Sequence, residues 1–309
     1  MLDKISITVE QMSVLFIFII LGYALQKLKV VPENSASVLS KLEMYVILPA
    51  FTFSTFSERF TRDIIGEKLK LLLWSALLIV ISGTVAVLVA KLFSKDKSTR
   101  AVYTYAFTIP NTGYMGYPLI GGVFGAAMLF DYMIFVIPFS IYIYTVAMYM
   151  LNPKHELSIK GIFNPSFIGL LIGAVWGILE IPMPKVVGSV LDGASSCLGP
   201  LAMLLTGFVL SRRPVKELVK NPKMYIASLL RLVVFPIVFT AILWLLGADD
   251  YTLLLAALTL SLPMGLNNIV FPEAFGGDSY TGAQSCFVCN VLGFFLVPVT
   301  FSVITSIFG

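Results

Sequence analysis

From Thr108 to Leu119 the sequence reads TIPNTGYMGYPL. This stretch lies inside an apolar segment, residues 101–124, that is long enough to cross a bilayer. Pro110 and Pro118 each remove a backbone N–H donor and disfavour a continuous helix. Gly113 lowers the cost of leaving helical geometry. The stretch therefore predicts a membrane span that is interrupted near its centre.

The composition of the whole chain is that of an integral membrane protein. Its 309 residues are 58% hydrophobic and 12% charged, whereas a soluble domain carries about 25% charged residues. Apolar runs long enough to cross about 30 Å of hydrocarbon recur from end to end. The net charge of +4 is explained by the basic loops of a membrane protein, so no nucleic-acid partner is predicted. The predicted partners are the lipid bilayer and a small-molecule substrate.

Splitting the chain at its Pro, Gly and charge clusters predicts an all-α fold with ten transmembrane helices. In chain order the predicted spans are 13–28, 38–57, 69–93, 101–124, 127–151, 167–181, 186–210, 224–246, 251–275 and 280–308. A polar, basic cytosolic linker, residues 154–166, separates residues 1–153 from residues 167–309.

The two halves are related by a series of matched residues. At an offset of 151 positions Gly22 falls on Gly173 and Pro49 on Pro200, and at 153 Pro110 falls on Pro263. Because each half holds an odd number of spans, the second half must enter the membrane in the opposite orientation. The sequence thus predicts two inverted five-helix repeats.

The ninth span has an interruption that corresponds to the one in the fourth. It reads SLPMGLNNIVFPEAFGG at residues 261–277. Broken spans at matching places in inverted halves indicate the binding site of a secondary transporter, at a crossover of the two spans. Half-helix N-termini there present N–H groups and positive dipole ends, which favours an anionic substrate.

The candidate residues fall into three sets. The residues predicted to break the crossover helices are Pro110, Pro118, Pro263, Gly265 and Pro272. The residues predicted to bind substrate there are Asn111, Thr112, Gly113, Asn267 and Asn268. Residues elsewhere that could complete the pocket are Thr52, Ser54, Ser140 and Tyr144, with Tyr114 and Tyr117 as substrate contacts or packing aromatics. The alternative is that the prolines only kink packed helices and that the asparagines join neighbouring helices.

Charges at membrane depth are the remaining candidates for function. Glu43 could titrate in coupling to an ion gradient, or pair with Lys41 or Lys29 near the interface. Arg231 could anchor its span at the cytosolic headgroups or attract an anion toward the inner vestibule. No metal or other cofactor is predicted, and H⁺ and Na⁺ both stay open as coupling ions.

Basic residues set the orientation. If the N-terminus lies outside, the cytosolic loops hold 14 of them, namely Lys27, Lys29, Lys41, Lys91, Lys95, Lys97, Arg100, Lys154, Lys160, Arg212, Arg213, Lys216, Lys220 and Lys223. The outer loops hold six, namely Lys4, Arg59, Arg62, Lys68, Lys70 and Lys185. This bias predicts a multi-pass protein of the cell membrane with both termini extracytoplasmic. The predicted outer loop 57–70 departs from the bias, because it holds four of the basic residues.

Four sequence features together resemble the auxin efflux carrier family of membrane transporters, over essentially the whole chain. They are PNTGYMGYPL at 110–119, Asn164-Pro165 with the glycine-rich sixth span, GPLAMLLTGFVLS at 199–211, and Leu262-Pro263 with Asn267. The resemblance implies a scaffold of spans 1, 2, 6 and 7 and a transport domain of spans 3–5 and 8–10. A homodimer through the scaffold helices is a further expectation.

The resemblance also implies a substrate class. Compact bacterial-type members are associated with dicarboxylates such as malate or malonate, and plant members with the auxin indole acetate. Asn111 stands where plant relatives contact the substrate carboxylate, which implies alternating access around this residue. The third span departs from those relatives, which carry an acidic residue there, because its residues 71–90 include no ionisable group.

Two other functions compete with a carrier. An anion channel could also be lined by broken helices. A membrane enzyme would need clustered His, Asp, Glu or Cys at depth, and the chain has one histidine. The sequence therefore favours a transporter of a small organic anion that is not an enzyme.

Overall fold

A computed structural model describes residues 2–62, 64–152 and 162–308. Most of the predicted linker 154–166 lies outside these residues. In the described part of the chain the secondary structure is helical, apart from one isolated β-bridge. The helical stretches are α1 Leu2–Lys27, α2 Ser35–Arg59, α3 Ile64–Phe93, α4 Lys97–Thr108, α5 Thr112–Phe135, α6 Ile137–Leu151, α7 Pro165–Ile178, α8 Lys185–Ser211, α9 Val215–Leu218, α10 Pro222–Leu245, α11 Asp250–Leu260, α12 Asn267–Phe275 and α13 Ser279–Phe308.

Seven of these helices are long and apolar enough to cross a membrane, namely α1, α2, α3, α5, α8, α10 and α13. The helices α6, α7 and α11 are apolar but shorter. Every predicted span coincides with helix, the fourth with α4 and the start of α5 and the ninth with α11 and α12. Gly125, with φ 82° and ψ 177°, interrupts α5 between the fourth and fifth predicted spans.

The helices extend beyond the apolar spans at some ends. α1 begins at Leu2 and α3 at Ile64, although the sequence places the first span from residue 13 and the third from residue 69. Hydropathy marks only the part of a helix that lies in hydrocarbon. The helix itself continues until a breaker such as proline or glycine ends it.

Within the described ranges, four π-turns interrupt the α-helical geometry, at Glu43–Ile47, Thr112–Gly116, Ile143–Ala147 and Leu230–Val234. Three of them end two residues before a proline, which is Pro49, Pro118 or Pro236. A proline ring clashes with the carbonyl four residues earlier, and in each case that carbonyl lies inside the wider turn. The π-turns thus let these helices continue through a proline.

Glycines that face the partner backbone bring α7 close to α2 and α8 close to α1. Along α7, Gly169, Gly173 and Gly177 recur at every fourth position and face α2, and a Cβ at Gly173 would lie 2.5 Å from the Phe53 carbonyl oxygen. Gly207 of α8 likewise faces the backbone of α1. Small residues at this spacing allow membrane helices to pack tightly, so α7 packs closely against α2 and α8 against α1.

Candidate functional site

The interruptions in the fourth and ninth spans meet inside the protein. Pro110 and Met264 form an antiparallel β-bridge, and the Asn111 backbone N–H donates to the Pro263 carbonyl at 2.8 Å. Both sides of this contact are buried, Asn111 at 5% exposure and Met264 at 0%. Backbone that leaves helical geometry at membrane depth must find partners within the protein. At this crossing each broken span provides partners for the other.

A cavity of about 110 Å³ lies beside the crossing. Its polar lining residues are Thr52, Tyr105, Asn111, Thr112, Tyr114, Tyr117, Ser140, Tyr144, Asn164, Ser166 and Asn267. None of the described lining residues is Asp, Glu, Lys, Arg or His. The cavity therefore offers many neutral hydrogen-bonding groups and no side chain with a full charge.

Two helices begin at this cavity. Thr112, Gly113 and Tyr114 form the first turn of α5, and Leu266 and Asn267 stand at the start of α12. The first N–H groups of a helix have no partner within that helix, and the helix dipole places partial positive charge there. Two helix N-termini thus direct positive potential into one neutral cavity, an arrangement suited to an anion.

Most of the predicted site residues lie together at this cavity. Those that line it are Thr52, Pro110, Asn111, Thr112, Gly113, Ser140, Tyr144, Gly265 and Asn267. The Thr52 hydroxyl also donates to the Ser166 carbonyl at 2.8 Å, which joins α2 to α7. Gly113 is open toward the cavity, because an added Cβ would meet only Tyr117, at 4.0 Å.

Asn268 and Ser54 are not at the cavity. Asn268 is fully buried, and its side-chain amide donates to the Ser285 hydroxyl of α13 at 2.8 Å. The Ser54 hydroxyl donates to Glu58 one turn further along α2, at 3.4 Å. Both side chains point away from the cavity because of their angular position on the helix.

The predicted break residues differ in what they do. Pro110 and Pro263 lie in the interruptions themselves, whereas Pro118 lies at the start of the resumed helix after the π-turn. The expectation that Pro272 breaks the ninth span is wrong, because Pro272 lies inside α12. The helix continues past this proline and ends at Gly276, whose φ of 77° is left-handed.

Asn164 and Ser166 at the start of α7 were not predicted as site residues, although both line the cavity. The Asn164 side chain accepts the Phe167 N–H at 3.0 Å and so caps this helix. The Asn-Pro pair is a recognisable helix start in sequence. That this particular helix start faces the crossing depends on tertiary packing, which the sequence pattern does not specify.

A wider vestibule of about 470 Å³ continues from the cavity. The two share Leu48, Tyr114, Tyr144, Asn164, Ser166, Leu266 and Asn267. The vestibule is also lined by Lys41, Arg212 and Glu273, and Arg212 pairs with Glu273 at 2.8 Å. Lys41 and Arg212 belong to the set of basic residues predicted to be cytosolic. The cavity therefore continues toward the predicted cytosolic side.

Glu43 is not paired near the interface. It lies in the first π-turn of α2 at 0% exposure, and neither carboxyl oxygen has a hydrogen-bond partner among the described residues. The predicted pairing with Lys41 or Lys29 is therefore wrong. The carboxyl group lies near Tyr114 of α5, which lines the cavity. An unpartnered carboxyl group at membrane depth is a functional candidate.

Arg231 is likewise buried rather than placed at the headgroups. It lies in the π-turn of α10 at 0% exposure, so the predicted interfacial anchor is wrong. It does not line the vestibule either.

Asp131 forms a largely buried ion pair that was not predicted. Its carboxylate contacts the Lys68 ammonium at 2.6 Å and accepts the Tyr251 hydroxyl, also at 2.6 Å. The side chains of Lys68 and Asp131 are 20% and 11% exposed. These contacts join α3, α5 and α11.

Interrupted apolar helices that meet at a buried polar cavity are typical of membrane carriers. The family model described as membrane transport protein matches this chain over residues 7–158 and 154–301. The chain therefore belongs to this family of membrane transporters, and the resemblance to auxin efflux carriers is confirmed. The family is one of transporters and not of enzymes.

Two archaeal proteins are similar to the chain over nearly its full length. An uncharacterised transporter of Methanothermobacter thermautotrophicus is 23% identical over 296 residues, which cover 94% of this chain and 96% of the relative. An uncharacterised transporter of Methanocaldococcus jannaschii is 24% identical over 305 residues, covering 95% and 97%. The similarity thus extends over whole transporters and not over one segment.

Proposed function

We propose that the chain is a secondary transporter that binds a small organic anion at the crossing of the two interrupted spans. A carboxylate or dicarboxylate, of the size of malate or malonate or with an auxin-like ring, is the substrate class. The observation that carries the proposal is the pair of helix N-termini at the start of α5 and α12, which face one uncharged polar cavity. Asn111 and Asn267 supply side-chain donors there.

The neutral lining favours a carrier over a tight binding protein. A carboxylate gains hydrogen bonds and favourable dipole interactions in the cavity, yet it meets no fixed cation that would hold it too strongly to leave. The vestibule on the predicted cytosolic side is lined by Lys41 and by the Arg212–Glu273 ion pair, so Lys41 leaves its charged lining net positive, which raises the local concentration of anions. Anions would enter through this vestibule and bind at the crossing.

Alternating access requires two groups of helices that move relative to each other. We assign the scaffold to α1, α2, α7 and α8 and the transport domain to α3–α6 and α10–α13, in a topology of ten spans as two inverted repeats. The cavity lies between the groups, since Thr52 and Ser166 line it from the scaffold and Asn111 and Asn267 from the transport domain. The described conformation then corresponds to the inward-open state, in a cell membrane with both termini outside.

Glu43 is the proposed coupling residue. It belongs to the proposed scaffold and lies near Tyr114 of the proposed transport domain, so movement between the two groups would change its surroundings. A carboxyl group that alternates between a buried and a wetter site can carry a proton through the cycle. This role favours H⁺ over Na⁺ as the coupling ion.

The first half of α8 supports the proposed homodimer. No residue of Lys185–Ser196 is buried within one chain. Ser189 and Gly193 form a small-residue pair at the spacing that favours contact between membrane helices. A second copy packed against this scaffold helix would cover the pair.

Counterflow in proteoliposomes tests the function against its alternative, an anion channel. Purified protein is reconstituted with unlabelled carboxylate inside, and labelled carboxylate is added outside. A carrier accumulates the label transiently and saturably, because bound substrate is exchanged across the membrane. Conductive flux without counterflow would indicate a channel, and counterflow with non-carboxylates alone would assign a different substrate.

A further inference from the structure

The protein buries one guanidinium group that the proposed transport cycle does not use. Arg231 is 0% exposed, and its Nη1 donates to the Phe107 carbonyl at 3.5 Å. Its Nε and Nη2 have no hydrogen-bond partner among the described residues. None of the ion pairs in the described part of the chain includes Arg231. Burying an arginine in this way costs free energy of folding, so the presence of this buried charge calls for a functional explanation.

The guanidinium lies at the crossing but not in the cavity. Phe107 belongs to the last turn of α4, where the helix dipole places partial negative charge on the carbonyl groups. Arg231 also lies near Tyr132, whose hydroxyl donates to the Thr112 carbonyl at 3.2 Å, beyond the break. Arg231 is not among the cavity-lining residues. It therefore reaches the interrupted fourth span from outside the cavity.

Carriers built on broken helices often place a coupling cation at such carbonyl ends. We propose that Arg231 is a built-in cation that takes this place, neutralises the carbonyl end of α4 and holds the crossing together. This role of Arg231 in transport rests on the proposed function. The stabilisation of the crossing by a fixed positive charge can be measured without any substrate.

Two consequences follow from a fixed cation. Because the charge is covalently attached, the crossing is ordered without bound Na⁺, and Na⁺ neither stabilises the protein nor drives uptake. Arg231 is then a positioning residue, since it acts on the backbone of α4 and not on the substrate. Lysine supplies a positive charge but not the planar guanidinium group. Arg231→Lys should therefore retain part of the stabilisation of the crossing that Arg231→Gln loses.

The experiment compares unfolding temperatures of purified wild type, Arg231→Lys, Arg231→Gln and Arg231→Ala in sodium, potassium and N-methylglucamine chloride at equal ionic strength. Lys220→Gln, which removes an exposed basic residue, is the matched control. We expect the wild type and the control to unfold at the same temperature in all three salts. Arg231→Gln and Arg231→Ala should unfold at a lower temperature than the wild type, and Arg231→Lys at an intermediate temperature. Guanidinium at a sub-denaturing concentration should partly restore the unfolding temperature of Arg231→Ala.

Three results would overturn the inference: a wild-type unfolding temperature specifically raised by Na⁺, an Arg231→Gln variant as stable as Lys220→Gln, or an Arg231→Lys variant no better than Arg231→Gln. If the variants cannot be purified in a folded state, the comparison of the three salts on the wild type still tests whether Na⁺ stabilises the crossing. Absence of carboxylate counterflow in the wild type would refute the proposed function alone, because the unfolding measurements contain no substrate.

Discussion

The backbone N–H of Asn111 donates to the carbonyl of Pro263 at 2.8 Å, across the two interrupted spans. This bond fixes Asn111 directly before the N-terminus of α5. The Asn111 side chain lies against Gly265 and lines the cavity. The breaks therefore do more than bend two helices, because they join the spans and position an amide at a buried cavity.

Asn111→Ala should abolish carboxylate uptake and leave the fold intact. The backbone bond to Pro263 does not involve the side chain, whereas the amide is the proposed donor to the substrate. Uptake by reconstituted protein, together with the unfolding temperature, checks this prediction. Wild-type uptake in the purified variant would contradict the role assigned to Asn111.

Asn268→Ala is the matched comparison and should show the reverse pattern. This side chain lies outside the cavity and bonds to Ser285 at 2.8 Å. Its removal leaves a buried hydroxyl with one partner fewer, which costs about 1 kcal/mol of unfolding free energy. We expect a lower unfolding temperature with substrate affinity close to wild type. A selective loss of affinity would place Asn268 in the binding site after all.

Gly113→Val should reduce uptake by filling the cavity. A side chain at residue 113 extends into open space, since the nearest atom to an added Cβ is on Tyr117 at 4.0 Å. The cavity holds only about 110 Å³, so two added methyl groups and a methine compete directly with substrate. A concentration series should show a weaker apparent affinity, more for dicarboxylates than for smaller acids. Unchanged kinetics would mean that substrate binds elsewhere.

Glu43→Gln should uncouple uptake from the proton gradient. The amide has nearly the shape of the carboxyl group but cannot bind and release a proton, so gradient-driven accumulation is lost while counterflow persists. Glu33→Gln, at an exposed loop position, is the control and should retain both activities. Accumulation is measured with an imposed pH gradient across the vesicle. Equal accumulation by the two variants would remove Glu43 from the mechanism.

Gly173→Leu should destabilise the scaffold. A Cβ there would lie 2.5 Å from the Phe53 carbonyl oxygen and 2.9 Å from its Cα, so α2 and α7 must separate. Overpacking of this kind costs about 1–3 kcal/mol. Gly188→Leu is the control, because a Cβ at Gly188 meets only the Met183 side chain, at an ordinary 3.6 Å. The two unfolding temperatures should differ clearly, and equal values would contradict the close helix packing.

The helices and their interruptions could be predicted because they depend on local chemistry. Hydropathy located helix in every span, and the clusters around Pro110 and Pro263 located the breaks. Proline alone was a weaker guide, as Pro272 shows. Pro272 lies past the middle of α12, and the helix continues beyond it to Phe275. Whether a proline ends a helix depends on how the surrounding chain can adjust.

The direction of individual side chains could not be predicted in the same way. The position of a residue along a span indicates its depth, but not whether its side chain faces headgroups, lipid or the protein interior. For Glu43 and Arg231, which lie in π-turns at 0% exposure, the packing of the surrounding helices decides that direction. Asn267 and Asn268 illustrate the same limit, since adjacent residues on one helix face the cavity and α13 respectively.

If two helix N-termini hold a carboxylate at the crossing, the wild-type protein should bind carboxylic acids at equilibrium in preference to their uncharged analogues. The unfolding temperature of purified protein is measured against a series of mono- and dicarboxylates, each paired with its uncharged amide. We predict that at least one acid, such as malonate or malate, raises the unfolding temperature in a saturable way, that its amide does not, and that Asn111→Ala abolishes the shift. No shift with any acid, or equal shifts with acid and amide, would contradict an anion site at the crossing.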